Sequence, residues 1–167
     1  NNAGVYASDY FYRIPMKTIR DMILINGLAH ALITKAFLPK FENRLGKSAI
    51  INVASLAASS PKPFEQTYAA TKVFHDYLSR GLAYECPKID IISMKPGPVS
   101  TNMNNYAPKS MNRTTAEEFV TTTLSYLGCS KSTHGHWKHR FDHFVMDSLL
   151  PDFMKFNYFK KRFNVEG

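Results

Sequence analysis

Cysteine is scarce in this sequence: Cys86 and Cys129 are the only two in 167 residues. They make no disulfide framework. Both read as reduced, small, buried hydrophobes, which makes a cytosol-facing protein the default reading. Long apolar runs are also lacking, and none approaches the about 18 residues of a membrane span. Acidic residues are few, 13 Asp+Glu against 21 Lys+Arg. That excess favours anionic ligands, membranes or nucleic acid and says nothing about fold. Without a basic stripe or a recognised motif, nucleic acid is set aside as a partner. There is no internal repeat and no low-complexity linker. No methionine or presequence opens the chain, and "NNAG" reads as the end of a strand that begins upstream, so a missing N-terminal part is expected.

What is present suits a globular domain, with 44% hydrophobic and 20% charged residues. Residues 16–38 carry Ile19, Met22, Ile23, Asn26, Ala29, Ile33 and Phe37 at helical spacing, and Pro39 is expected to end that helix or to follow its end closely. "SAIINVAS", 48–55, and "IDIISMKP", 89–96, read as strands buried on both faces. Between them lie a Pro/Ser loop at 58–64 and a helix at 66–85, with Val73, Phe74, Tyr77, Leu78 and Leu82 on its apolar side. A loop follows residue 96, then a helix at 114–128 with a Thr/Glu start and a glycine stop. Residues 133–141 read as a last strand and 144–164 as helical pieces. Helix and strand in alternation predict an α/β fold of βαβ units with a doubly wound parallel sheet.

In such sheets ligands sit outside the carboxyl ends of the strands. Ser55 ends one strand, Pro96, Gly97 and Thr101 follow the next, and Tyr68 and Lys72 open the helix between them. A free tyrosine has a pKa of about 10 and is a poor acid near neutrality. A lysine four residues later shares its helix face and favours the phenolate. A serine hydroxyl can hold a carbonyl for hydride attack. Together these types predict carbonyl reduction or alcohol oxidation with a nicotinamide cofactor.

Ser55, Tyr68 and Lys72, with thirteen positions from serine to tyrosine, resemble the catalytic set of the short-chain dehydrogenase/reductase family and its Tyr-x-x-x-Lys motif. "NNAG" is similar to that family's Asn-Asn-Ala-Gly motif, Asn26 to its helix asparagine, and "PGPVST" to its Pro-Gly motif. The likeness covers roughly residues 1–103. A weaker one, over 114–163 ("TTAEEFV", Gly128-Cys129, "STHGHW", "SLLPDFMKFNYFKKRF"), is to the microsomal 3-oxoacyl-CoA reductases, or seventeen-beta-hydroxysteroid dehydrogenases of type twelve. The resemblance implies that Tyr68 donates a proton, Lys72 lowers its pKa and bonds the nicotinamide ribose, and Ser55 orients the carbonyl. Asn26 would hold a water linking Lys72 to solvent. Asn2, Ala3 and Gly4 would line the cofactor cleft, and Pro96, Gly97, Val99 and Thr101 would face the nicotinamide. The family's Thr-Gly-x-x-x-Gly-x-Gly phosphate loop is not in these 167 residues. The expectation is therefore the C-terminal part of a Rossmann-type sheet at 1–143 and a basic, aromatic helical tail at 144–167.

The function implied is reduction of a ketone on a hydrophobic substrate, a 3-oxoacyl-CoA or a steroid, with NADP(H). The alternative is a truncated, non-catalytic relative. The resemblance also implies the cytosolic face of the endoplasmic reticulum membrane, with a cytoplasmic alternative, and a possible homodimer through the two long helices. Met103, Tyr106, Met111 and Phe119 are expected to cover an apolar substrate. Other features read more plainly. Tyr84-Glu-Cys-Pro-Lys88 repeats the Tyr/Lys spacing, but Pro87 breaks its helix. His134, His136, His139 and His143 match no zinc pattern and read as a solvated or substrate-facing strand end, so no metal is expected. Cys129 reads as packing. Lys160-Lys161-Arg162, among Phe156, Tyr158, Phe159 and Phe163, reads as a solvated face or a rest on an anionic membrane surface.

Overall fold

The computed structural model describes residues 1–104, 106, 108 and 111–162. Phe163 and the rest of the tail beyond Arg162 lie outside them, as do Asn105 and Ala107 of the loop after residue 96. A helix begins at α1 (Met16–Met22), passes through a π-helical stretch (Ile23–Ala29) and continues as α2 (His30–Glu42). Pro39 does not end it. The chain stays helical to Glu42, and the Pro39 carbonyl accepts the backbone N–H of Asn43 at 3.2 Å and its Nδ2 at 2.8 Å. By length and composition Met16–Glu42 is apolar enough to cross a membrane, with mean hydropathy 1.4, although no uninterrupted apolar run suggested it.

Strand β1 (Ser48–Val53) leads through the loop into α3 (Gln66–Glu85) and back to β2 (Ile89–Met94). These two strands pair in parallel from Ser48 opposite Ile89 to Val53 opposite Met94. The loop at 97–113 contributes a short β3 (Val99–Ser100) that pairs with β4 (Thr114–Thr115), a ladder the sequence reading missed. Helix α4 (Ala116–Leu124) starts on a capping box in which Thr115 and Glu118 satisfy each other's backbone N–H. The third strand of the main sheet, β5 (Ser132–Thr133), lies beside the end of β2, giving the order β1-β2-β5.

The expected strand at 133–141 is mostly helix: α5 (Trp137–His143) starts after Thr133, with His136 accepting the Lys138 N–H as its cap. A second π-helical stretch (Phe144–Leu149) and α6 (Asp152–Arg162) close the described chain. Ile50, Ala83, Ile89 and Ile91 form a core with Leu38 and Phe41 on one side of the sheet. Ile92, Met94 and Phe119 form another with Tyr126 and Leu127. Helices on both faces make the sheet doubly wound. β2 is buried along nearly its whole length, whereas β1 alternates, with Ala49 exposed.

The helices bury their polar stripes. α3 turns Thr67, Thr71, Lys72, His75, Asp76 and Ser79 inward and leaves Phe74 and Tyr77 outside. Along the first helix Met22, Asn26, His30 and Thr34, four residues apart, face the core, while Ile23, Ile33 and Phe37 are exposed. Cys129 is exposed and Cys86 half-buried, not buried as read from the sequence.

Gly135 holds the turn after β5 at φ +65°, and a Cβ there would strike Thr123 Oγ1 and lie 2.8 Å from Phe119 Cε2. Both neighbours are core, and neither can yield cheaply. Gly135→Ala should therefore lose about 3 kcal/mol of stability, read as a lower urea midpoint at unchanged m. An unchanged midpoint would mean that α4 shifts freely.

Candidate active site

The first residues are laid along the free edge of β1. The Asn1 backbone N donates to the Ile51 carbonyl at 2.9 Å, and its carbonyl accepts the Val53 N–H at 2.9 Å. Its side-chain Nδ2 donates to Asn52 Oδ1 at 2.7 Å and to Thr34 Oγ1 at 3.0 Å, and Asn52 passes the chain on to Ser79 Oγ at 2.7 Å. Further along, Asn26 clamps the Val5 backbone: its Oδ1 accepts the Val5 N–H and its Nδ2 donates to the Val5 carbonyl, both at 2.8 Å. The same Nδ2 reaches Thr71 Oγ1 at 3.2 Å. Asn2, Ala3 and Gly4 are thus held between two amide clamps. A Cβ on Gly4 would lie 3.3 Å from Asn26 Oδ1 and 3.7 Å from Lys72 Nζ, so glycine permits this close approach.

Ser55 follows the carboxyl end of β1. Its Oγ accepts the Ala57 N–H at 3.1 Å, capping a short 3₁₀ turn, and the hydroxyl shares a cavity wall with the Tyr68 phenol. Burial pushes Tyr68 up to about 12; the Ser55 hydroxyl pulls the other way and the Glu65 carboxyl adds to the rise. Lys72 Nζ donates to the Val53 carbonyl at 2.8 Å and lies 5.7 Å from the centroid of the Tyr68 ring. Burial brings it down to about 8. Burial is the chief cause, and Tyr68 stands above its ordinary value, where the sequence reading expected it below.

The ends of β1 and β2 are tied by the Leu56 N–H on the Pro96 carbonyl at 2.7 Å. Gly97 packs on the His139 ring, where a Cβ would lie 2.8 Å from Cδ2. His139 is fully buried beneath it and reaches the Pro98 carbonyl at 3.2 Å, while His134 stacks on His143 with ring centres 4.3 Å apart. These histidines are therefore packing groups and not a strand end. Among the described residues no three His, Cys, Asp or Glu side chains are grouped to hold a metal.

One cavity of about 770 Å³ collects these parts. Ser55, Tyr68 and Lys72 line it together with Asn2, Ala3 and Gly4. So do Pro96, Gly97, Val99 and Thr101. Asn26 is wholly buried just behind. Of the expected cover, Met103 lines the cavity, whereas Tyr106 and Met111 are exposed and Phe119 belongs to the core beside Ile92.

The opposite wall was missed. It is built from Tyr6, Lys62 and Glu65, and from Met146, Phe159 and Arg162 at the far end of the chain. Glu65, three residues before Tyr68 on the same helix face, carried a readable signal. The C-terminal residues carried none, because only packing of Phe159 and Met146 on Phe64 brings them there. Two further buried groups went unread. His30 and His75 stack with ring centres 4.3 Å apart in the seam between the long helices.

Comparisons with known proteins bear on the family and the fold. The family model described as short chain dehydrogenase matches residues 1–112. Hydroxysteroid dehydrogenase-like protein 1 of Gallus gallus is 33% identical over 92% of this chain and 48% of its own length. The very-long-chain 3-oxoacyl-CoA reductase of Anas platyrhynchos is 35% identical over 90% of this chain and 50% of its own. The chain thus spans about half the length of these curated relatives. A solved structure of a 7beta-hydroxysteroid dehydrogenase superposes with a TM-score of 0.78 at 20% identity, covering 95% of this chain and 64% of that one, a likeness of fold. With a family match over two thirds of its length and a strand-end cavity holding the motif's serine, tyrosine and lysine, the chain belongs to the short-chain dehydrogenase family.

Proposed function

We propose that this chain supplies the proton-transfer and nicotinamide-facing part of an NADP(H)-dependent oxidoreductase that reduces a ketone on a hydrophobic substrate, a 3-oxoacyl-CoA or a steroid. The observation that carries the reading is that Ser55, Tyr68 and the buried Lys72 line one cavity at the strand ends. The relatives named as 3-oxoacyl-CoA reductase and hydroxysteroid dehydrogenase-like protein support the substrate class.

The cradle fits a nicotinamide nucleotide. Asn2, Ala3 and Gly4 leave room beside Lys72 for a ribose, and Gly97, Val99 and Thr101 wall the place of the ring. When bound, the cofactor supplies the hydride. Ser55 holds the ketone oxygen, and Tyr68, protonated through the neutral range, gives its proton to that oxygen as the alcohol forms. Lys72 steadies the ribose with its ammonium. Asn26, by clamping Val5, keeps the cofactor-side backbone in place. Met103, Met146 and Phe159 offer the apolar surface a long acyl chain or a steroid needs. Ile33 and Phe37 on the first helix, with Phe74 and Tyr77 on α3, offer the apolar faces of a homodimer. Phe153 and Met154 on α6, near Lys160 and Lys161, offer a contact with an anionic membrane surface.

The test measures NADPH binding and NADPH oxidation with a long-chain 3-oxoacyl-CoA and with a ketosteroid. Turnover with either fixes the substrate class. Neither turnover nor NADPH binding selects the non-catalytic reading.

Lys72→Met separates function from stability. Folding lowers the Lys72 pKa from 10.5 to about 8, so its burial disfavours the folded state increasingly as pH falls from about 10.5 through 8, and the cost is complete at neutral pH. Removing the charge should raise Tm at pH 7 while weakening NADPH affinity by about tenfold or more. A lower Tm would mean that the Val53 bond outweighs the desolvation.

A further inference from the structure

Building on the reading of Tyr68 as proton donor, we propose that Tyr6 and Glu65 are a positioning pair on the substrate side of Tyr68, fixing its ring and setting a carboxylate against the Lys72 charge. Neither residue belongs to the motifs that place the chain in its family, and both line the cavity. Tyr6 donates its hydroxyl to Glu65 Oε1 at 2.6 Å, and its ring meets Tyr68 edge to face, with centres 5.0 Å apart and planes at 85°.

Glu65 stands at the N-cap of α3, where a side chain would ordinarily accept a backbone N–H of the first turn. It makes no such bond and spends its carboxylate on Tyr6. The residue before it is strained to allow this. Phe64 adopts φ +67°, a left-handed conformation that a bulky L-residue rarely enters. It is almost fully buried, with its ring against Tyr10 and Phe156. Packing of α6 and of the early loop thus holds the turn that brings Glu65 to the cavity.

The phenol accordingly sits between a carboxylate three residues before it and an ammonium four residues after it. The other groups facing this arrangement are the Ser55 hydroxyl at the end of β1, Lys62 of the loop and Arg162 of α6, with Asp142 of α5 opposite those two cations. Burial raises the Glu65 carboxyl itself, and Lys62 and Arg162 pull it back toward ionisation. An ionised Glu65 disfavours the Tyr68 phenolate, and so keeps the proton on oxygen until a ketone takes it.

The test is a pH titration of the chain labelled with ¹³C at the tyrosine ring carbon that bears oxygen, followed by NMR. The Tyr68 resonance is the one lost in Tyr68→Phe. In Glu65→Gln the pH at which that resonance begins to move should fall by about 1 pH unit. Glu65→Asp, which keeps the charge, should return the onset most of the way to wild type, an effect a purely steric role would not give. Glu65→Leu should fall as Gln does and serves if the Gln variant loses its dispersion. An onset that stays put in Gln or Leu overturns the pair. That failure is separate from failure of the proton-donor reading, which shows only as retained turnover in Tyr68→Phe.

Discussion

Tyr68→Phe should lower ketone-dependent NADPH oxidation by about 10³-fold and leave NADPH affinity within about twofold. The substitution removes one oxygen and keeps the ring, so the edge contact with Tyr6 survives and the fold should hold. What is lost is the phenolic hydrogen that the proposed function offers to the substrate oxygen. The pH profile adds a second check. A phenol raised to about 12 stays protonated across the neutral range, so reduction by wild type should show no break from Tyr68 below about pH 11. A break should instead come from Lys72 near 8: as pH rises through that value the ammonium is lost, and NADPH affinity should fall. Near-wild-type turnover in the Phe variant would remove Tyr68 from its role.

Acid should unfold this chain readily, through the His30–His75 stack. Both rings are almost fully buried, and burial is the chief cause that lowers each, His75 to about 3. A charge on His30 also disfavours one on His75, and Lys72 disfavours a charge on either ring. The folded pKa lies below the unfolded value of 6.5, so the contribution to stability is present above about pH 6.5 and is lost as pH falls from there toward 3. His75 alone should remove about 3 kcal/mol between about pH 7 and pH 4, on the order of a third of a typical domain's stability. Urea midpoints measured across that range should fall steeply in wild type. In a His30→Leu/His75→Leu variant the slope should be much shallower. Equal slopes would place the acid lability elsewhere.

The sheet was legible because its signal is local. "SAIINV" and "IDIISM" are short, β-branched and bounded by turn residues, and they pair in register as β1 and β2. The gathering of Ser55, Tyr68, Lys72 and the Pro-Gly segment at one cavity was legible for a different reason: they follow strand ends, and topology brings strand ends together. Helical periodicity misled. Val73, Phe74, Tyr77 and Leu78 suggested the inward face of α3, but the buried face holds Thr71, Lys72, His75, Asp76 and Ser79, whose polar groups reach β1, the neighbouring strand loops and the first helix. An apolar stripe marks a face that avoids water; it does not say which neighbour covers it. The histidine-rich run at 134–143 looked extended because no strong helix start was visible, yet His136 supplies the cap. Tyr6, Glu65, Phe159 and Arg162 come from three distant segments, and no spacing rule joins them.

The π-helical stretch at Ile23–Ala29 acts as a phase shifter in a long screw. A π turn closes over one more residue than an α turn. Winding the same residues at the ordinary α pitch would leave that extra residue unaccommodated and rotate everything before it by about 100° relative to everything after. Met22 and Asn26, both now fully enclosed, could not then share one side of the rod with His30 and Thr34. The Val5 clamp would open, and the strip of backbone at Asn2–Gly4 would lose its seat. Spare winding in the helix, more than any one side chain, sets the distance between Lys72 and the opening residues of the chain.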